Sequence, residues 1–184
     1  GQPFGGRADV VFELVFNTSM TGYQEIISDP SYRGQGVLFT VSHIGNVGIN
    51  LEDNEAGVPQ VGAVLIRSLS PVVSNWRASM DISAWLEEYA VPGIAGIDTR
   101  AITRKLRDIG TMKAALSTTG TSAEKLLEMA RAWPGLDGRD MVKEVTCNAL
   151  YDWQGDAGDK WVRQNLAEQS ASVLAGASGF APKV

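Results

Sequence analysis

Few side chains in this sequence are equipped for chemistry. There is one histidine, His43, and one cysteine, Cys147. A zinc site built from Cys and His takes about four ligands, so these two cannot form one. A nucleophile–His–acid relay needs its members brought together in space, and nothing in the sequence places His43 beside either partner. His43 lies in a Gly/Asn-rich run, SHIGNVGIN, where a hydrogen-bonded structural role is the simpler expectation. Cys147 has no nucleophile-elbow glycines around it and no neighbouring base, so it reads as an ordinary thiol. A single cysteine excludes an internal disulfide and fits a reducing compartment. Glu52, Asp53 and Glu55 form an acidic cluster that reads as solvated loop, with no spacing that demands a metal.

Two features carry more. Residues 16–35, FNTSMTGYQEIISDPSYRGQ, are poor in aliphatic residues and crowded with Gly, Asn, Ser, Thr, Pro and Tyr. That composition predicts a loop rather than a buried helix or strand, and such loops often carry function. Asp29-Pro30 predicts a rigid corner from which Ser31 and Tyr32 project. Taken alone, Ser31 reads as a turn cap. Its hydroxyl can donate to a carboxylate or accept from an ammonium. The second feature is a run of arginines, Arg100, Arg104 and Arg107, spaced i, i+4, i+7. On a helix they fall within roughly 60° of one another, opposite Ile102, Leu106 and Ile109. Three readings stay open for this ridge. It is a solvated face with Arg104 pairing Asp108, or an interface meeting a partner's carboxylates. A phosphate site comes third, because no Gly-rich phosphate loop accompanies it.

The elements that must hold these residues are legible in outline. GQPFGGR at 1–7 reads as turn or loop. Strands are predicted at 10–16, 36–41, 61–66, 93–97 and 111–116, with a last one at 141–146. The first is expected to be buried on both faces, or to keep Glu13 at an edge. A helix at 82–90 opens on Asp81 and aligns Ile82, Trp85, Leu86 and Tyr89. A second, at 99–109, runs from an Asp98 cap to Gly110. A third comes after the Thr121-Ser-Ala-Glu124 capping box and runs through Arg131, burying Leu126, Leu127 and Ala130. Trp76, in SNWR, is expected to anchor against the core. The class expected is α/β, with mixed sheet layers and about three helices.

Bulk properties narrow the function. The chain has 184 residues, enough for one domain or one domain plus a linker. A chain of this size buries roughly 70% of its unfolded surface and needs no disulfide or metal to fold. A net charge of −5 argues against nucleic-acid binding. No apolar run approaches the ~20 residues of a membrane span, which fits a cytoplasmic protein. No signal peptide is legible, and Gly1 in place of an initiator Met suggests a trimmed or unobserved start.

The stretch at 16–35, HIGNVGIN at 43–50 and GIAGIDTRAITRKLRDIGTM at 93–112 occur in this order. On these motifs the sequence resembles the N-terminal domain of the small, glutamine-hydrolysing subunit of carbamoyl phosphate synthase, from about residue 4 to 153. The resemblance implies a swivelling β/β/α-type domain over 1–153, with 154–184 as linker or divergent tail. It implies that the class I glutamine amidotransferase domain, with its Cys-His-Glu triad, is absent from this chain, so no catalytic residue is expected here. By motif, Ser31 is the serine that approaches L-glutamine bound in that neighbouring domain. The large subunit would make carbamoyl phosphate from the released ammonia, bicarbonate and ATP. ATP and Mg²⁺ are expected there, with no cofactor on this chain. Arg100, Arg104 and Arg107 become candidates for partner binding.

The family pattern is departed from where an additional first strand is missing, Phe12 stands where Gly is common, Val41-Ser42 replaces Tyr-Pro, and Ser68 replaces Asp. The missing first strand, Ser68 and the divergent tail motivate an alternative, a stand-alone interaction module of the same fold without synthase activity. A thiol enzyme using Cys147 and His43 is the third and least supported reading.

Overall fold

The computed structural model describes residues 1–147, 149 and 150. In chain order the strands are β1 (Gln2–Gly5), β2 (Asp9–Asn17), β3 (Gln35–Phe39), β4 (His43–Ile44), β5 (Ala63–Leu65), β6 (Ser68–Leu69), β7 (Pro92–Ala95) and β8 (Met112–Ser117). The helices are α1 (Tyr23–Ser28), α2 (Ile82–Glu88), α3 (Thr99–Ile109), α4 (Ala123–Ala132) and α5 (Val142–Val145), with a 3-10 turn at Pro30–Tyr32. Gly1–Thr146 form one compact unit, and Cys147 opens a second. The division expected at residue 153 lies outside the described residues.

Six strands make one sheet in the order β1-β7-β5-β3-β2-β8, while β4 and β6 pair separately. Strands β7, β5, β3 and β2 run parallel, and β1 and β8 close the two sides antiparallel. Parallel strands need crossovers, and these place helices on the sheet faces, so both faces must be apolar. They are. Val37 and Phe39 of β3 and Val64 of β5 face α1 and α2, packing with Ile27, Ile82, Trp85 and Leu86. Leu38, Ala63 and Leu65 point the other way, with Phe12, Leu14 and Leu116, onto Leu106 of α3. This is the α/β class with a mixed sheet that the pattern predicts.

Two glycines let aromatic rings lie flat on the sheet. A Cβ on Gly36 would sit 2.3 Å from the ring of Phe12, and one on Gly93 would sit 2.5 Å from the ring of Phe4. Phe12, where the related pattern has Gly, is 1% exposed and fills the space above Gly36.

Several sequence expectations are corrected. Residues 2–5 form strand β1 rather than loop; only Phe4 among them is buried, so no alternation was visible. The Gly5 amide donates to Ser83 Oγ at 3.0 Å and Pro3 has no donor, which blunts this sheet edge. Glu13 is not at an edge, because β2 is paired on both sides, and it accepts from Gln35 Nε2 at 3.1 Å. Residues 142–145 are helical, not a strand. Two helices, α1 and α5, add to the three expected. Trp76 is 87% exposed and anchors no core. Ile109 and Leu127 are exposed, and Tyr89 ends α2 partly in solvent. Helix α4 is capped by Ser122, one residue later than Thr121, whose hydroxyl donates to Asp9 instead. The hydroxyls of Ser117, Thr119 and Thr121 hold the Asp9 carboxyl below its usual range.

The largest correction is α1, inside the stretch expected to be loop. Its buried residues include Gln24 and Ser28, which satisfy themselves through hydrogen bonds. Gln24 Nε2 donates to the Asn50 carbonyl and to Asn54 Oδ1 (2.7 Å), and its Oε1 accepts from Asn50 N at 3.0 Å. The neighbouring Tyr23 hydroxyl donates to the Gly48 carbonyl at 3.1 Å, and burial pushes its phenol up to about 12. Gln24→Leu would orphan both backbone groups of Asn50, itself buried. Unpaired buried groups cost about 1–3 kcal/mol each, so a urea titration should show a loss of about 3 kcal/mol. A loss under about 1 kcal/mol would mean that water replaces the amide.

Candidate functional site

Ser31 is placed by local chemistry. Pro30 biases Asp29 to an extended conformation (φ −69°, ψ 121°), which turns its carboxylate over the next turn. Asp29 Oδ1 then accepts from Ser31 N at 2.8 Å and from Ser31 Oγ. The turn closes with Tyr32 N donating to the Asp29 carbonyl and Arg33 N to the Pro30 carbonyl, both at 3.1 Å. Tyr32 OH accepts from Asn17 Nδ2 at 3.0 Å, tying the turn to the end of β2. Ser31 is exposed. The cap of this turn is Asp29 rather than the Ser31 that the sequence suggested, because Ser31 lies inside the turn and donates to the Asp29 carboxylate. Because the Ser31 proton is given to Asp29, its outward capacity is that of an acceptor. Of the two roles open to it, the geometry favours taking a hydrogen bond from an ammonium.

The same corner is tied to a segment 111 positions further on. Arg33 Nε donates to Glu144 Oε2 at 3.1 Å, and Arg139 lies 3.6 Å from the other oxygen of Glu144. Gly34, at φ +81°, has no room for a side chain, since a Cβ would meet Leu136 at 2.8 Å and Met141 at 3.2 Å. The segment carrying α5 therefore lies against Arg33 and Gly34.

The arginine ridge is as predicted in position. Asp98 caps α3, accepting from Ala101 N at 3.0 Å, and Leu106 is buried while Arg100, Arg104 and Arg107 are exposed. The expected Arg104–Asp108 pair is not formed. Arg107 takes Asp108 at 3.3 Å, and among the described residues Arg100 and Arg104 have no ion-pair partner. Ala101, Arg104, Lys105, Asp108 and Ile109 line a shallow depression on this helix. Ser31 and the ridge are not brought together: α1 packs on one face of the sheet and α3 on the other.

The remaining candidates have structural surroundings. His43 is exposed and faces Ser68 in the β4–β6 register. Cys147 is a free, exposed thiol. The acidic cluster is more than solvated loop, because Arg77 bonds Asp53 at 2.8 Å and Glu52 at 3.0 Å. Asp53, then Glu52, raise the Arg77 guanidinium further above its usual value. Among the described residues no group of three or more His, Cys, Asp or Glu could hold a metal. Sequence reading missed the Arg33–Glu144 link, whose partners are far apart in the chain, and the Asp29–Ser31 hydroxyl bond, for which the Asp-Pro signal was available.

Residues 1–116 match the family described as Carbamoyl-phosphate synthase small chain, CPSase domain. A carbamoyl phosphate synthase small chain from Synechocystis is 46% identical over 169 residues, which is 92% of this chain and 44% of that protein. One from Syntrophotalea carbinolica is 47% identical over 177 residues, 95% of this chain and 47% of that protein. A chloroplastic one from Oryza sativa subsp. japonica is 45% identical over 174 residues, 94% of this chain and 39% of that protein. The chain thus spans less than half the length of these relatives.

Proposed function

Since the chain belongs to the carbamoyl phosphate synthase small-chain family, we propose that it acts as the N-terminal domain of a glutaminase subunit. It would hold an amidotransferase half on one side and a large synthase chain on the other. The observation that carries this is the exposed Ser31 on its fixed turn, its hydroxyl proton held by Asp29.

The chemistry asked of these residues is modest. Ser31 Oγ, its proton held by Asp29, would accept from the α-ammonium of L-glutamine bound at the neighbouring domain. The Asp29 charge behind it would strengthen that acceptor. The nucleophile and base that split the amide would belong to the other half, because this sequence has only one Cys and one His and no segment matching the triad motifs. Nucleotide and metal would bind the large chain, where ammonia is consumed. Ammonia released into water near neutral pH is mostly protonated and no longer a nucleophile. A shell that closes the path between glutaminase and synthetase therefore has a chemical purpose. Arg100, Arg104 and Arg107 would meet carboxylates on the large chain.

Ser31→Ala in the whole small subunit tests the glutamine contact. Losing one hydrogen bond to a charged group is worth about 1.5–3 kcal/mol, so KM for glutamine should rise at least about tenfold. Ammonia-driven synthesis should stay unchanged. An unaltered KM would remove Ser31 from the glutamine site.

A further inference from the structure

The turn that presents Ser31 is gripped from two sides. On one, Tyr32 packs with the core around α1, and its hydroxyl accepts from Asn17 Nδ2 at 3.0 Å, at the last residue of β2. On the other, the segment that carries α5 closes on the two residues after the turn. Arg33 N completes the turn on the Pro30 carbonyl, and the Arg33 side chain gives Nε to Glu144 Oε2 at 3.1 Å. Glu144 Oε1 lies 3.6 Å from Arg139 Nη2, so one carboxylate joins a guanidinium beside the turn to one of its own segment. At Gly34 the backbone has φ +81°, and a Cβ there would lie 2.8 Å from Leu136 and 3.2 Å from Met141. The segment is braced internally. Arg139 N donates to the Leu136 carbonyl and Glu144 N to the Met141 carbonyl, both at 3.0 Å, and Thr146 N to the Val142 carbonyl at 2.9 Å.

This ion pair is poorly suited to holding the fold together. The Arg33 and Glu144 side chains keep 41% and 38% of their surface in solvent, and an exposed pair adds little to stability. What it fixes is direction. Arg33 ends the turn that Asp29 begins, and Ser31 stands between them. Asp29 settles where the Ser31 hydroxyl proton goes, and Arg33 settles how the turn as a whole sits on the domain. A hydrogen bond to a bound substrate depends steeply on such placement, because small shifts of a positioned group weaken it. We infer that Glu144 is a positioning residue for the glutamine contact, acting through Arg33 on the turn that aims Ser31. The inference rests on the reading of Ser31 above and extends it to a segment 111 positions further on.

The test uses the whole small subunit assembled with its large synthase chain, and reads KM for glutamine beside kcat, the ammonia-driven rate and melting temperature. A positioning residue transmits no more than its own coupling energy, so Glu144→Ala and Arg33→Ala should each raise KM about fourfold. The double variant should also show about fourfold, since both single changes break one link. Turnover at saturating glutamine and the ammonia-driven rate should stay within about twofold, and melting temperature within about 2 °C. In a Ser31→Ala background, Glu144→Ala should move KM no further. If Ser31→Ala raises KM and Glu144→Ala does not, the inference fails and the small-subunit reading stands. If Ser31→Ala leaves KM unchanged, the glutamine contact and the inference fail together. A Glu144→Ala effect that persists undiminished without the Ser31 hydroxyl, or that lowers turnover, the ammonia-driven rate and melting temperature together, would make Glu144 structural and overturn the inference.

Discussion

Charge reversal at Arg100 and Arg104 together is expected to weaken binding of the large synthase chain by about a hundredfold, while leaving the fold nearly untouched. Both side chains are exposed and neither has an ion-pair partner among the described residues, so neither supports the fold electrostatically. Reversal exchanges attraction for repulsion at each position, and about 1.4 kcal/mol at each multiplies to roughly a hundredfold. Surface changes of this kind usually move stability by no more than about 0.5 kcal/mol, which is about 2 °C or less here. The loss should shrink as salt rises, because exposed charges are screened. Arg107→Glu should cost less, since Arg107 already serves Asp108. Equal losses of affinity and melting temperature would make the ridge structural.

The largest stability effect is expected where Phe12 lies on Gly36. Gly36→Ala puts a methyl 2.3 Å from ring atoms of a side chain that is 1% exposed and has nowhere to move. Overpacking of this kind costs about 1–3 kcal/mol and occasionally more. Phe12→Ala removes the ring and leaves a cavity, at about 3–5 kcal/mol. The double variant should cost clearly less than the sum, because the new methyl occupies part of the space that the ring vacates. A coupling of about 1–3 kcal/mol is expected from urea titrations of the four proteins. Additive losses would mean that the ring and the glycine do not share that space.

The same pair shows what sequence could and could not convey. The strand at 10–16 was legible from its apolar residues, but not that Phe12 would need a glycine on the next strand. Helices α2 and α3 were legible because each has an Asp cap and an apolar stripe. Helix α1 was not, because Gln24 and Ser28 are buried through hydrogen bonds rather than apolarity, and composition reports only the latter. Trp76 was misplaced for the converse reason: apolar character does not say which way a loop side chain points. At the candidate site, the Asp29-Pro30 corner was readable from two adjacent residues. The Glu144 carboxylate that accepts from Arg33 is 111 positions away, and no local pattern joins them. The Arg104–Asp108 pair had correct helical spacing, yet Asp108 turned to its neighbour Arg107. Spacing limits which pairs can form without deciding among them.

The central claim is that this domain joins two partners and leaves the reaction to them. The most direct measurement is a calorimetric titration of this chain into the large synthase chain, with ammonia release from glutamine monitored in the same samples. The account predicts saturable one-to-one binding, with glutamine hydrolysis by this chain alone at the level of buffer. Absent binding, or hydrolysis by this chain without any other protein present, would contradict it.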